Sequence, residues 1–482
     1  MRHVFVLLLI ASVACVTAAE HGLRIDQLPV GAFRDQVESL APAAKLRAAK
    51  RMAKLDLHAH DSDCLACDEA GDIYFVCAGK SVARVRGGPG SGNPGGGTKF
   101  PLSALPKLHS RLGSTNVLLL DCNGCVVTGT AWNDSLRRTS IPAVAYDTDN
   151  DPNTYNEAEL VAIQHIWQRV AEDYAPFDID VTTEEPVAIT NTTLRVVITR
   201  NTDANGKRNP SSTAGGVAYV DVFGAADYAR YRPAWVYANN LGSGRADYVA
   251  EASSHEAGHN LGLGHDATAS TSYYGGHGSG ETSWGPIMGT GYDRNVSQWS
   301  KGEYVGANQQ QDDLAIIAAH LDISGLGYAP DEQLGDAVGL PLAFDALGKA
   351  SASGIIGRHG DGSADADAFL FAIDDSDVSF TVSPFRSAAH TRGGNLDVQL
   401  EIRDAAGNPV TSVSPAGATT ATISASSLPA GTYELRILGA GEGTLTTGGY
   451  NPGYSSYGSL GQYAVQGTAT PPIAPAAPTG IN

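Results

Sequence analysis

The chain has 482 residues, a length that calls for two or three folding units, and its apolar fraction of 42% with 56 glycines and 24 prolines describes folded domains joined by turns and linkers. Fifty-one acidic residues against 32 basic ones leave a net charge of −19, which repels nucleic acid and anionic membrane surfaces and excludes both as partners. No stretch reaches the roughly 18 uninterrupted apolar residues of a membrane span.

Residues 1–19 read as a secretory signal: Met1-Arg2-His3, an apolar run from Val4 to Ala11, and small residues at Thr17-Ala18-Ala19. This predicts a secreted, extracellular protein. Five cysteines follow, Cys64, Cys67, Cys77, Cys122 and Cys125, and in an oxidising compartment their odd number leaves at least one thiol unpaired. Residues 20–104 read as a propeptide, with a helix over 43–57, strands over 73–76 and 82–85, and a glycine-rich linker over 86–98 that offers a natural place for a cut. Three readings compete for Cys64 and Cys67: disulfides with Cys77, an inhibitory thiolate on a catalytic metal, or a separate metal site with His58 and His60. Asp61 or Asp63 could fill the inhibitory role instead. Cys122-Asn123-Gly124-Cys125 reads as a short-range disulfide around a turn.

Residues 105–329 have α/β texture. A buried strand is expected over 117–120, then a helix over 155–174 that places Leu160, Ile163, Ile166, Trp167, Val170 and Tyr174 on one face behind a Thr154–Glu157 capping box. Strands over 194–199 and 217–222 precede the motif helix, and a helix over 309–321 closes the unit. Residues 335–468 alternate apolar and polar side chains over 396–403, add strands at 369–373 and 433–437, and predict an all-β sandwich. The tail over 469–482 is proline-rich. Asp147, Asp149 and Asp151, and likewise Asp361, Asp365 and Asp367, are candidate calcium ligands that compete with ordinary solvated loops.

The chemistry concentrates in eleven residues, His255-Glu256-Ala257-Gly258-His259-Asn260-Leu261-Gly262-Leu263-Gly264-His265. On a helix His255 and His259 project from one face, Glu256 stands beside them, and Gly262 lets the chain turn so that His265 supplies a third ligand. Three protein ligands leave the open position that a catalytic zinc needs for water, and Glu256 is then the base that takes the water's proton. Asp247 is the candidate cap of that helix.

This pattern resembles the metzincin zinc endopeptidases, whose signature also includes a methionine turn under the metal. Gly285-Pro286-Ile287-Met288-Gly289 fits that turn, and Met288 is the only methionine after Met52. Asp266, directly after the third histidine, is similar to the residue that marks the adamalysin-type branch, where it braces the turn. Thr290 stands where astacin-like members carry a metal-reaching tyrosine, and Tyr292 comes two residues too late. The phrases around residues 395–397 and 428–433 resemble a pre-peptidase C-terminal domain. The resemblance implies a metzincin-like α/β (α+β) catalytic domain with a C-terminal β sandwich, and a zinc endopeptidase made as a zymogen that acts on proteins or peptides. Its site would be Glu256 with His255, His259 and His265, Met288 would be structural, and Cys64 or Cys67 are the latency candidates. The alternative is an adhesion or matrix-binding protein with a vestigial metal site. The sequence leaves the oligomeric state open.

Overall fold

A computed structural model describes residues 24–55, 57, 59–81, 98–324, 327–331, 339–342, 345, 347–385 and 394–469. The expected signal, the strand over 82–85, the glycine-rich run up to residue 97, His58, the joint over 332–338 and the tail from residue 470 lie outside the described residues.

The central unit is built on a sheet in which Val117–Asp121, Asp180–Thr182, Thr193–Thr199 and Ala234–Tyr237 run parallel. Continuous apolar runs such as Leu118-Leu119-Leu120 and Val196-Val197-Ile198 are buried, as parallel strands covered on both faces must be. Ala214–Tyr219 lies antiparallel to Ala234–Tyr237 on one side of this group. Helices Glu157–Asp173 and Ala246–Asn260 pack together, and Asp313–Leu321 follows with Asp312 as its cap. The first of these helices starts two residues later than the sequence suggests. Thr154–Asn156 is drawn into a ribbon with Lys99–Pro101, so Asn156 and Glu159 form the capping box in place of Thr154 and Glu157.

The N-terminal residues form helices Ala32–Ser39 and Pro42–Lys54 over a hairpin of Leu65–Cys67 and Ile73–Ala78. The hairpin joins the central sheet. Ile73–Ala78 pairs antiparallel with Ala214–Tyr219, and the sheet grows to seven strands in the order Leu65–Cys67, Ile73–Ala78, Ala214–Tyr219, Ala234–Tyr237, Thr193–Thr199, Val117–Asp121, Asp180–Thr182.

Beyond residue 339 nearly everything is strand. A five-stranded sheet runs Leu340–Pro341, Ala366–Ile373, Gly431–Gly439, Val398–Asp404, Pro409–Val413, and a four-stranded sheet runs Lys349–Ile356, Gly461–Ala469, Ser376–Pro384, Ala421–Leu428. The period-two pattern over 396–403 places Val398, Leu400 and Ile402 in the core, as alternation requires. This unit is packed firmly onto the central one. One continuous apolar core runs through both units, and buried carboxylates of the central unit are bonded by β-unit side chains. Asn395 Nδ2 donates to Asp173 Oδ1 at 2.9 Å, and Gln462 Nε2 donates to Glu172 Oε2 at 3.0 Å.

Candidate metal centre

The helix Ala246–Asn260 carries the motif and is buried almost throughout. Its start is not capped by Asp247, which lies in the first turn and is ion-paired to Arg245, the N-cap residue. Its end is a Schellman turn: Gly262 adopts φ +93°, Leu263 N–H donates to Gly258 O at 3.0 Å, and Gly262 N–H donates to His259 O at 3.0 Å. That reversal carries His265 back to the helix.

The three imidazoles meet. His265 Nε2 stands 3.2 Å from His259 Nε2. His255 Nδ1 lies 2.9 Å from the Ile287 carbonyl and His259 Nδ1 lies 2.8 Å from the Leu263 carbonyl. A carbonyl only accepts, so each Nδ1 carries the proton and each Nε2 keeps its lone pair for a cation. Burial lowers both imidazoles further, His255 to about 4, so both are neutral at physiological pH.

A fourth donor is present, and it is Cys77. Its Sγ lies 3.5, 3.3 and 3.5 Å from the Nε2 atoms of His255, His259 and His265. Three nitrogens and one sulfur around a tetrahedral zinc stand about 3.3 to 3.6 Å from one another, and the three Cys77 distances and the His259–His265 distance are close to that range. Burial, and then the Glu256 charge, push the Cys77 thiol well above its ordinary value; a divalent cation among the four would reverse this and favour the thiolate.

Neither Cys64 nor Cys67, the expected candidates, joins the three histidines; the thiol that meets them is Cys77. Cys64 interacts with Tyr273 and Ser272, and Cys67 sits in the outer strand of the hairpin. The inward face of Ile73–Ala78 carries Ile73, Phe75 and Cys77, so the period of the strand aims Cys77 at the histidines. Phe75 adds cover, its ring centroid 4.2 Å from those of both His259 and His265. All five described cysteines are free thiols, so the disulfide around Asn123-Gly124 is also a correction. Cys122 is buried in the core, whereas Cys125 begins the strand Cys125–Val127 and pairs across to Ala143.

Glu256 is buried beside Cys77 and interacts with its thiol; burial pushes the carboxyl well above the usual range. The strand Ala214–Tyr219 passes close over it, since a Cβ on Gly216 would overlap the Glu256 carboxyl. Met288 lies under the helix. A Cβ on Gly258 would stand 2.7 Å from Met288 Sδ, so the glycine inside the motif makes room for the methionine turn. Asp266 braces that turn through its backbone, donating from N to Met288 O at 2.9 Å, while its buried side chain accepts from Tyr304 Oη at 3.4 Å. Tyr292 packs on Tyr248, with ring centroids 5.1 Å apart.

Sequence reasoning missed Cys77 as a donor and also Tyr273, whose ring centroid lies 4.3 Å from that of His265. The odd cysteine count and the inward register of Cys77 were the available signals. For Tyr273 the sequence holds none.

Of the calcium candidates, Asp147 and Asp149 group with Glu159, and Asp365 groups with Asp331 and His359, while each makes protein contacts of its own. Asp147 is ion-paired with Arg200 and accepts three backbone N–H groups from the following loop, and Lys99 Nζ lies 2.5 Å from Asp149 and 3.4 Å from Asp151. Asp365 accepts from Gly357 N at 2.7 Å, Asp367 accepts from Tyr463 Oη, and Asp361 accepts from Ser363.

Residues 143–266, which end one residue past the third histidine, match the family model described as metallo-peptidase family M12B, reprolysin-like. That likeness implies a zinc hydrolase acting on peptides. No curated protein matches the chain. Among solved structures, the pre-peptidase C-terminal domain of a collagenase from Bacillus anthracis overlaps 29% of this chain and 98% of its own, at 12% identity and a TM-score of 0.17. A periplasmic inhibitor of g-type lysozyme from Aeromonas hydrophila overlaps 28% and 96%, at 10% identity and a TM-score of 0.18. Overlaps of that quality carry no argument. No helix among the described residues is long and apolar enough to cross a membrane.

Proposed function

We propose that this chain is the precursor of a secreted, metzincin-like zinc endopeptidase in which residues 20–104 are a propeptide, residues 105–329 the catalytic domain and residues 335–468 a β-sandwich domain. One observation carries the reading: three imidazoles and the Cys77 thiol converge, the sulfur 3.3 to 3.5 Å from each Nε2, beside a buried Glu256. The reprolysin-like match supports it.

His255, His259 and His265 would hold a zinc ion, and Cys77 would be its fourth donor in the latent form. A zinc ion so bound supplies Lewis-acid polarisation of the scissile carbonyl and acidifies the attacking water. Once Cys77 has left, Glu256 accepts a proton from that water and hands it to the leaving amine nitrogen. Burial serves this role, because a carboxyl raised above its ordinary value is a better match for proton transfer near neutral pH. Met288 and the Asp266 brace keep the floor of the site fixed. Peptide substrates would add to the edge of Ala214–Tyr219 as an extended strand, in the way that Ile73–Ala78 now does.

The test is Glu256→Gln in the activated protein. It should bind one zinc per chain as the parent does, and lose roughly 10²- to 10⁴-fold in peptide hydrolysis. Chelation should abolish the parent's activity. A Gln variant that cleaves at the parent rate ends this reading.

A further inference from the structure

The strand that blocks the site also reports what the site would touch. Ile73–Ala78 pairs antiparallel to Ala214–Tyr219 with Cys77 opposite Gly216, above Glu256. The Ala78 N–H, on the peptide bond that follows Cys77, donates to the Tyr273 hydroxyl oxygen at 3.3 Å. Tyr273 lies in the loop after the third histidine, packs its ring on His265 and is half-buried against the N-terminal hairpin. A peptide that replaces this strand in the same direction brings a backbone amide to the same hydroxyl.

Resting on the peptidase reading, we propose that Tyr273 is a catalytic residue of the unlocked enzyme, its hydroxyl oxygen accepting a hydrogen bond from the N–H of the scissile peptide bond. In the reaction the water oxygen bonds to the carbonyl carbon and its proton passes to Glu256. The carbon–nitrogen bond then breaks as Glu256 returns that proton to the nitrogen. Holding the N–H toward Tyr273 turns the nitrogen's developing lone pair toward the carboxyl that must protonate it. Tyr273 keeps its own proton throughout. Such orientation acts on the transition state more than on ground-state binding, so its loss falls on kcat.

The experiment uses the full chain, zinc-loaded and treated with trypsin until activity reaches a plateau, and compares the parent with Tyr273→Phe. Two matched substrates are needed, a peptide and its analogue with an ester in place of the scissile amide, which has no N–H to donate. The Phe variant should lose roughly 10- to 100-fold in kcat on the peptide with little change in KM, yet differ little from the parent on the ester. Zinc content and the thermal midpoint should be unchanged, because the ring still packs on His265. A peptide kcat equal to the parent's, or an equal loss on amide and ester, overturns the proposal. If the parent itself shows no chelator-sensitive cleavage, the peptidase reading has failed and the role of Tyr273 falls with it.

Discussion

Two units flank the motif-bearing one, and they are attached by different physics. The N-terminal unit keeps its own small core, with Phe33, Val37, Met52, Leu65 and Phe75, and among the described residues that core reaches beyond the unit only at Val220 and Tyr273. Its other ties are a strand added to a sheet edge, the Cys77 thiol, the rings of Phe75 on the histidines and of Tyr74 on Trp132, the Tyr219 and Tyr231 hydroxyls donating to Asp68 and Asp72, and ion pairs such as Lys54 with Asp221 at 2.7 Å, where Lys54 is 68% exposed. Exposed pairs contribute about 0–1 kcal/mol, and water can replace each backbone bond as the strand leaves. The β unit shares one apolar core with the central unit. Shared burial cannot be given up piecemeal, and the Asn395 and Gln462 bonds to Asp173 and Glu172 fix where the two surfaces meet. The first attachment suits release. The second suits permanence.

The comparison breaks most sharply at Ala329. A chain ending there should lose its cooperative thermal transition and its activity on short peptides and fibrous proteins alike, because its apolar face is left without a partner. A shortened chain that folds and cleaves small peptides normally would show that the central unit does not need the shared core.

Next in size is the lock. Cys77→Ala should raise the basal activity of the precursor by more than about tenfold, since it removes the donor that fills the open zinc position. Cys64→Ala and Cys67→Ala should leave latency intact. Cleavage in the linker over 86–98 is expected to precede activation rather than equal it, because the cut leaves the strand Ile73–Ala78 seated in the sheet. Activity measured against time, beside gel filtration of the cut protein, checks this ordering. Latency that survives in the Cys77 variant would move the lock to steric cover.

The smallest effect is a pH dependence that separates the β unit from an ordinary surface module. Burial pushes Glu172 well above the usual carboxylate range and Asp397 to about 7. Asp397 is then protonated in the fold but ionised in the unfolded chain between about pH 4 and pH 7, so folding takes up a proton there, and the raised Glu172 acts in the same direction. The Asp397 contribution is fully present below about pH 4 and is lost as the pH rises through about 7. With zinc chelated, so that the histidine ligands do not contribute, thermal midpoints at pH 5 should exceed those at pH 8. Gln at both positions should flatten the difference. A midpoint that rises over this range would mean that the carboxyls are buried as anions.

The eleven-residue motif was legible because its chemistry is local. Helical spacing alone puts His255 and His259 together, a glycine alone permits the reversal to His265, and period-two alternation alone assigns Val398, Leu400 and Ile402 to a core. Strands and helices were found to within a few residues for the same reason, and the misplaced cap at Asn156 shows where tertiary pairing overrode it. What stayed hidden was every contact between distant segments. Nothing local distinguishes Cys77 from Cys64. Only the register of Ile73–Ala78 on Ala214–Tyr219 carries the Cys77 thiol to histidines 178 to 188 residues away. Gly216 over Glu256, Tyr273 beside His265, and the burial of Glu172 under Gln462 are of the same kind. Side-chain type and short-range spacing determine which groups are able to do chemistry, while packing of remote strands decides which of them meet.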